Sequence, residues 1–221
     1  MYVVIVGAGR IGQRLTELAL RDDKEKNNVI VIDKNQERCE EIARKYDVIA
    51  INADATQEET LEESEVKKAD VLVATTRDDA VNLMVVSLAK NKGVKRLVSL
   101  VNQEESIPMF MEKGVKIVKN PALLIAEHLY RSIRYPDIED YMNVGENVSI
   151  FRITLPEESK LAGKMIKDIG LPKKSLIVSV EREDRFIIPT EEVKLEPNDK
   201  ITVLAHKDVV DRVTNILASR K

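Results

Sequence analysis

The chain opens with a short apolar run, Tyr2-Val3-Val4-Ile5-Val6, which breaks into Gly7-Ala8-Gly9-Arg10-Ile11-Gly12 and then into a helical pattern. This spacing constrains the fold more than any other feature, because glycines so placed carry meaning only between a strand and a helix. Gly7 permits the tight turn, Gly9 presents no side chain to a phosphate, and Gly12 lets helix and strand approach closely. The helix N-terminus then offers unpaired N–H groups and the positive end of its dipole to an anion. Charge-assisted hydrogen bonds are worth about 1.5–3 kcal/mol each, so two or three of them supply much of a micromolar affinity. The alternative is a glycine turn that binds nothing.

From residue 2 to about 118, apolar strand-like runs alternate with helical-period segments, the pattern of repeated strand-helix-strand units. Strands are predicted at Tyr2 to Val6, Val29 to Ile32, Val48 to Ile51, Val71 to Ala74, Leu97 to Val101 and Lys116 to Val118. Their nearly continuous apolarity implies a Rossmann-type parallel sheet with helices on both faces, an α/β fold. Ile11, Leu15 and Leu18 mark one helical stripe and Cys39, Ile42, Ala43 and Tyr46 the next, with further helices from Thr56, Asp78 and Glu105. Pro121 to Arg134 reads as an amphipathic helix that leaves the sheet. The polar stretch 136–147 reads as a linker between a domain at 1–135 and a smaller α+β domain at 148–221. Helices are expected there at Ser159 to Ile169 and Asp208 to Ser219. Three strands fall between them, Leu176 to Arg182, Phe186 to Pro189 and Ile201 to Ala205, with turns at Glu183-Asp184 and Pro197-Asn198-Asp199.

Composition narrows the function classes. Lys and Arg number 35 against 38 Asp and Glu, a net charge of −3, so no excess positive charge is available to neutralise a nucleic acid backbone. The single cysteine, Cys39, forms no intramolecular disulfide and reads as a core residue, which fits a reducing, cytoplasmic compartment. No apolar run approaches the roughly 20 residues that span a bilayer, and the start lacks a secretory pattern, so neither insertion nor export is expected. Asp33 ends the second predicted strand, 33 − 12 = 21 residues after Gly12, where an acidic side chain accepts hydrogen bonds from ribose hydroxyls. Its charge repels a 2′-phosphate and favours NAD or an adenine nucleotide over NADP, although Lys34 and Arg38 stand nearby. Capping the following helix is the alternative role of Asp33, and the two roles are compatible. Asp54 and Thr56, and Thr75 and Thr76, also sit at carboxyl ends of strands, where ligands of open α/β sheets bind; Asp54 has a helix cap as its alternative role.

Catalytic groups are scarce. The two histidines, His128 and His206, lie on the departing helix and in the terminal domain, and no tyrosine is followed four residues later by lysine. The phosphate-loop, zinc-helix and serine-elbow motifs are absent. A nucleotide sensor without chemistry is expected, with no catalytic residue and no metal site.

These residues resemble the cytoplasmic RCK (regulator of potassium conductance) family, including the TrkA and KtrA subunits of potassium uptake systems. The likeness rests on Val3 to Gly12, Ala53-Asp54-Ala55-Thr56, Ala74-Thr75-Thr76 leading to Val81-Asn82-Leu83, and Ile187-Ile188-Pro189-Thr190 with Pro197 to Ile201 in the terminal domain. It implies that Gly7, Ala8, Gly9, Arg10, Ile11, Asp33, Thr75 and Thr76 line NAD(H) or ATP/ADP, with Arg10 reaching a terminal phosphate within one subunit or across a dimer interface. It implies a homodimer built into a larger ring, held to the inner face of the membrane by a potassium transporter or channel subunit that the ring gates. Many relatives carry Ala-Arg where this chain has Ser99-Leu100, which removes a cation and weakens the case for triphosphate. The chain also lacks the acidic residue after Pro121 with which some members bind a divalent cation. An NAD-dependent oxidoreductase and an interaction module with an empty nucleotide site are the competing expectations.

Overall fold

The computed structural model describes residues 1–21, 27–183 and 185–219. The chain divides into two compact units, Met1–Leu124 and Ile125–Lys221, and the division falls inside a helix rather than at residue 135. No helix among the described residues is long and apolar enough to cross a membrane.

In the first unit the elements follow as β1 (Tyr2–Val6), α1 (Arg10–Leu20), β2 (Asn28–Asp33), α2 (Gln36–Tyr46), β3 (Ile49–Asn52), α3 (Glu58–Glu63), β4 (Val71–Ala74), α4 (Asp79–Asn91), β5 (Arg96–Val101), α5 (Ile107–Glu112) and β6 (Lys116–Lys119). The six strands are parallel, in the order β3-β2-β1-β4-β5-β6. Chain order reverses between β1 and β4, so the loops after these strands open a crevice at the carboxyl edge. Helices cover both faces, and β1 is therefore buried on both: Val4 and Val6 pack into a core with Leu72, Val85 and Phe110, whereas Val3 and Ile5 pack with Val31 and Ile42. Cys39 is buried, as expected of a core residue, and burial pushes its thiol pKa up.

The stripe on α1 differs from expectation. Gly12 and Thr16 are the buried residues, Leu15 packs at the margin of the core, and Ile11 and Leu18 are exposed. The glycine sets this face: a helix that touches β1 so closely turns its smallest residues inward and its larger ones sideways.

α6 (Pro121–Arg134) has the predicted bounds, and Asn120 caps its start by accepting from the amides of Ala122 and Leu123. The second unit continues with β7 (Ile138–Val144), β8 (Val148–Thr154), β9 (Ser175–Arg182), β10 (Arg185–Ile187), β11 (Lys200–His206) and α7 (Val210–Leu217). Its sheet is antiparallel throughout, in the order β10-β9-β11-β8-β7. Burial alternates along β8 and β11, and the inward residues Phe151, Ile153, Ile201 and Val203 pack against Val213 and Leu217 of α7.

Two expectations fail in this unit. The segment 136–147 is largely strand β7 rather than a linker; Tyr141 lies against Phe151 of β8, and its hydroxyl is 2.7 Å from that of Ser149. No α-helix forms over 159–169, which holds turns and a short 3₁₀ segment at Ile166–Asp168. There the amides of Gly163, Ile166 and Lys167 bond across to the carbonyls of Leu195, Val193 and Glu191 instead of backwards along a helix. Of the turn expected at Glu183-Asp184, Asp184 lies outside the described residues, while Glu183 has the left-handed backbone of a tight turn (φ 52°).

Candidate functional site

The glycine motif sits in the crevice between β1 and β4, and its three glycines do three different things. Gly7 has φ +105°, a conformation that side chains rarely adopt, and a Cβ there would lie 2.7 Å from Thr75 Oγ1. A Cβ on Gly12 would lie 1.8 Å from the carbonyl oxygen of Gly7, so any larger residue drives helix and strand apart. Gly9 is the opposite case: a Cβ would meet nothing within 4 Å among the described residues. Gly7 and Gly12 are thus required by the fold itself, whereas Gly9 borders open space at the mouth of α1.

That mouth is left without a side-chain cap. α2 and α4, which start at the same edge, are capped by Asn35 and Asp78, whose side chains accept from Arg38 N and from Ala80 N and Val81 N. α1 has Gly9 at its capping position, and among the described residues no side chain caps it. The first intrahelical bond is Gln13 N to Gly9 O, so the amides of Arg10, Ile11 and Gly12 precede the ladder and point outward along the axis. Arg10 and Ile11 are exposed on this first turn.

Asp33, half-buried at the end of β2, fastens the loop. Its Oδ2 accepts from Ala8 N at 2.6 Å and its Oδ1 from Asn35 N at 2.8 Å. Asp33 is therefore not the cap of α2, a role that falls to Asn35. Each of its oxygens keeps a second lone pair for a hydroxyl at the edge of the crevice.

Thr75 donates its hydroxyl to the carbonyls of Val6 and Gly7, at 2.9 and 3.1 Å. Thr76 donates to Asn82 Oδ1 at 2.7 Å, and the Thr76 amide bonds the same oxygen at 3.1 Å. Both threonines spend their hydroxyls on the shape of the loops. Asn82, quoted above only as part of the stretch Val81-Asn82-Leu83, has a role that the sequence reading did not assign. It is fully buried in α4, where its amide also reaches the carbonyls of Thr76 and Leu100. A polar residue on the face of α4 that carries Val85, Val86 and Ala89 is the signal that could have found it. Leu100 is buried, so β5 brings an apolar side chain to this end of the sheet.

Asp54 and Thr56 form a separate cluster beside Asp33, joined to it where Ala53 N bonds Asp33 O at 3.1 Å. Asp54 Oδ1 accepts from Thr56 N and Thr56 Oγ1 at 2.9 and 2.7 Å, while Lys34 Nζ lies 3.0 Å from Asp54 Oδ2. Burial raises the Asp54 pKa, but the Thr56 hydrogen bonds and the Lys34 ammonium outweigh it and hold the carboxyl below the ordinary value. Asp54 does not cap α3, whose capping position is Gln57. Asp79, in the first turn of α4, shows the same balance: burial raises its pKa, and hydrogen bonds from Asn102 and Gln103 lower it further than burial lifts it.

A TrkA-N domain family model matches residues 3–121, and a TrkA-C domain family model matches residues 150–218. The Trk system potassium uptake protein TrkA homolog of Methanothermobacter thermautotrophicus is 29% identical over 214 residues, covering 97% of this chain and 98% of the relative. The homolog of Pyrococcus abyssi is 29% identical over 228 residues, covering 100% of this chain and 99% of the relative. Among solved structures, the GsuK channel aligns over 100% of this chain and 40% of its own, with a TM-score of 0.65 at 15% identity. The GsuK channel bound to NAD aligns over 96% of this chain and 38% of its own (TM-score 0.51, 22% identity). GsuK bound to ADP aligns over 61% of this chain and 34% of its own (TM-score 0.51, 26% identity).

Proposed function

The chain belongs to the TrkA-N/TrkA-C family, and from that premise we propose that it binds an adenine nucleotide or NAD(H) at the mouth of α1 as a regulatory ligand. One observation carries this reading: the glycine that the fold does not need, Gly9, borders open space just where uncapped amides emerge. A phosphate there accepts from the amides of the first turn and sits at the positive end of the helix dipole. Asp33 receives the ribose hydroxyls on its remaining lone pairs, and the exposed Arg10 reaches the outermost phosphate with a permanently charged, forked guanidinium. GsuK structures bearing NAD and ADP support the ligand class, and relatives named for potassium uptake support the setting.

The nucleotide acts as messenger rather than reactant. The hydroxyls of Thr75 and Thr76 are committed to the loops, and His128 and His206 belong to α6 and β11 of the second unit. The protein works at the inner face of the membrane as a homo-oligomeric ring on a potassium transporter or channel subunit. Two nucleotide states favour two ring geometries, and the ring transmits that preference to the membrane pathway. A tenfold difference in affinity moves the equilibrium by about 1.4 kcal/mol per site, which a ring of several sites multiplies.

The test is the unfolding temperature of the purified chain with ADP, ATP or NADH. Ligand at 100 times its dissociation constant stabilises the folded state by about 2.7 kcal/mol, a readily measured rise. No rise with any of the three returns the chain to an empty interaction module. Steady consumption of NADH with a carbonyl or quinone acceptor returns it to the oxidoreductases.

A further inference from the structure

Lys34 follows Asp33 directly at the carboxyl end of β2, one residue on from the carboxylate that receives the ribose hydroxyls in the reading proposed above. An ammonium free at this place would pair with a phosphate on the ribose 2′ oxygen and draw NADP-like ligands into the site. It is not free: its Nζ lies 3.0 Å from Asp54 Oδ2. An exposed ion pair is ordinarily weak and exchangeable. This one has a fixed half, because the other oxygen of Asp54 accepts both the amide and the hydroxyl of Thr56. The carboxylate thus cannot swing aside with its lysine. A 2′-phosphate arriving here must strip Lys34 from a full negative charge that stays in place, and must do so next to Asp33.

We propose that Asp54, anchored by Thr56, is a positioning residue that holds Lys34 out of play and makes this site accept ribose with a free 2′-hydroxyl while rejecting 2′-phosphorylated nucleotides. This deepens, and rests on, the reading of the α1 mouth as a nucleotide site. Specificity arises from exclusion: the cation that would welcome the wrong ligand is present but already paired.

The division of labour between the two carboxylate oxygens supplies a clean variant. Asp54→Asn keeps the Oδ1 acceptor for Thr56 and removes only the oxygen that holds Lys34. Two pairs of probes differing only in the 2′-phosphate, NADH with NADPH and 5′-AMP with adenosine 2′,5′-bisphosphate, are titrated calorimetrically into the full chain. The readout is the affinity ratio within each pair, which a uniform loss of binding does not move. The wild type prefers the 2′-hydroxyl form by about tenfold or more, and Asp54→Asn narrows that ratio about tenfold. Lys34→Met leaves the wild-type ratio within about threefold, since the lysine was already engaged, and the double variant shows the ratio of Lys34→Met, not that of Asp54→Asn. Dependence on Lys34 also separates its ammonium from Arg38, the other cation nearby. An unchanged ratio in Asp54→Asn overturns the proposal. So does a narrowing that persists without Lys34, which would make Asp54 a direct repellent. Binding of the first member of either pair with either of these results leaves the nucleotide site standing, whereas failure of all four probes to bind the wild type overturns both.

Discussion

The two sheets place their polar groups in opposite ways. In the first unit every strand runs the same direction, so the carboxyl ends of β1, β2, β3 and β4 and the uncapped start of α1 meet at one edge. Backbone amides and carboxylates gather there around open space. In the second unit strand directions alternate, and the most buried charge closes on itself: Asp199 is fully buried and takes both Arg182 Nε and Nη2, at 2.8 and 2.9 Å, together with Glu196 N. One arrangement leaves hydrogen-bonding capacity pointing outward, and the other consumes it. Parallel topology makes a site almost unavoidably, whereas antiparallel topology has to build one.

The strongest way to break this comparison is to remove Arg182. Arg182→Met strands the Asp199 carboxylate inside the second unit and costs about 3–5 kcal/mol. Hydrogen exchange resolved by segment should lose more protection around β9 and β11 than around β1 and β4; unchanged protection at β9 and β11 would refute the closure of Asp199 on Arg182. Next is Gly12→Ala, whose Cβ falls 1.8 Å from Gly7 O and forces a backbone shift. A cost of about 1–3 kcal/mol is expected, read by urea unfolding, together with loss of nucleotide-induced stabilisation. Unimpaired stability would mean that α1 and β1 are not held as closely as described. Asn82→Ala removes the side chain that ties Thr76 to β5 and should cost about 1–3 kcal/mol, because buried backbone groups lose their partners.

The smallest effect concerns acid. Asp79 has its carboxyl pKa depressed in the folded state, so its contribution is fully present above the ordinary value of 3.8 and fades as pH falls through the folded value. The stability difference between wild type and Asp79→Asn should therefore narrow below that pH in urea titrations; a difference that widens with acid would reverse the assigned sign.

What the sequence disclosed follows from the same contrast. Parallel strands buried on both faces announce themselves as apolar runs, and α6 lies between Pro121, which starts it, and Tyr135-Pro136, which stops it. β7 stayed hidden because Ile138-Glu139-Asp140-Tyr141-Met142-Asn143-Val144 mixes charged and apolar residues around a register shift at 138/140, which disguises the alternation. The segment 159–169 has helix-like spacing in Leu161, Met165, Ile166 and Ile169, yet the amides of Gly163, Ile166 and Lys167 find partners at Leu195, Val193 and Glu191. At the site, residue types were legible and their partners were not. The contact between Asp33 and Ala8 N spans 25 residues, and the sharing of Asp54 between Thr56 and Lys34 depends on two oxygens that no spacing rule distinguishes.

The central claim is that a nucleotide rests on the amides at the start of α1. Calorimetric titration of ADP and NADH into the wild type and into Gly9→Asp tests it most directly. Position 9 has room for the new side chain, whose carboxylate would occupy the place of the phosphate. Saturable binding to the wild type that disappears in Gly9→Asp, with the unfolding temperature of the free protein little changed, is the expected result. Equal binding by both proteins would contradict the account.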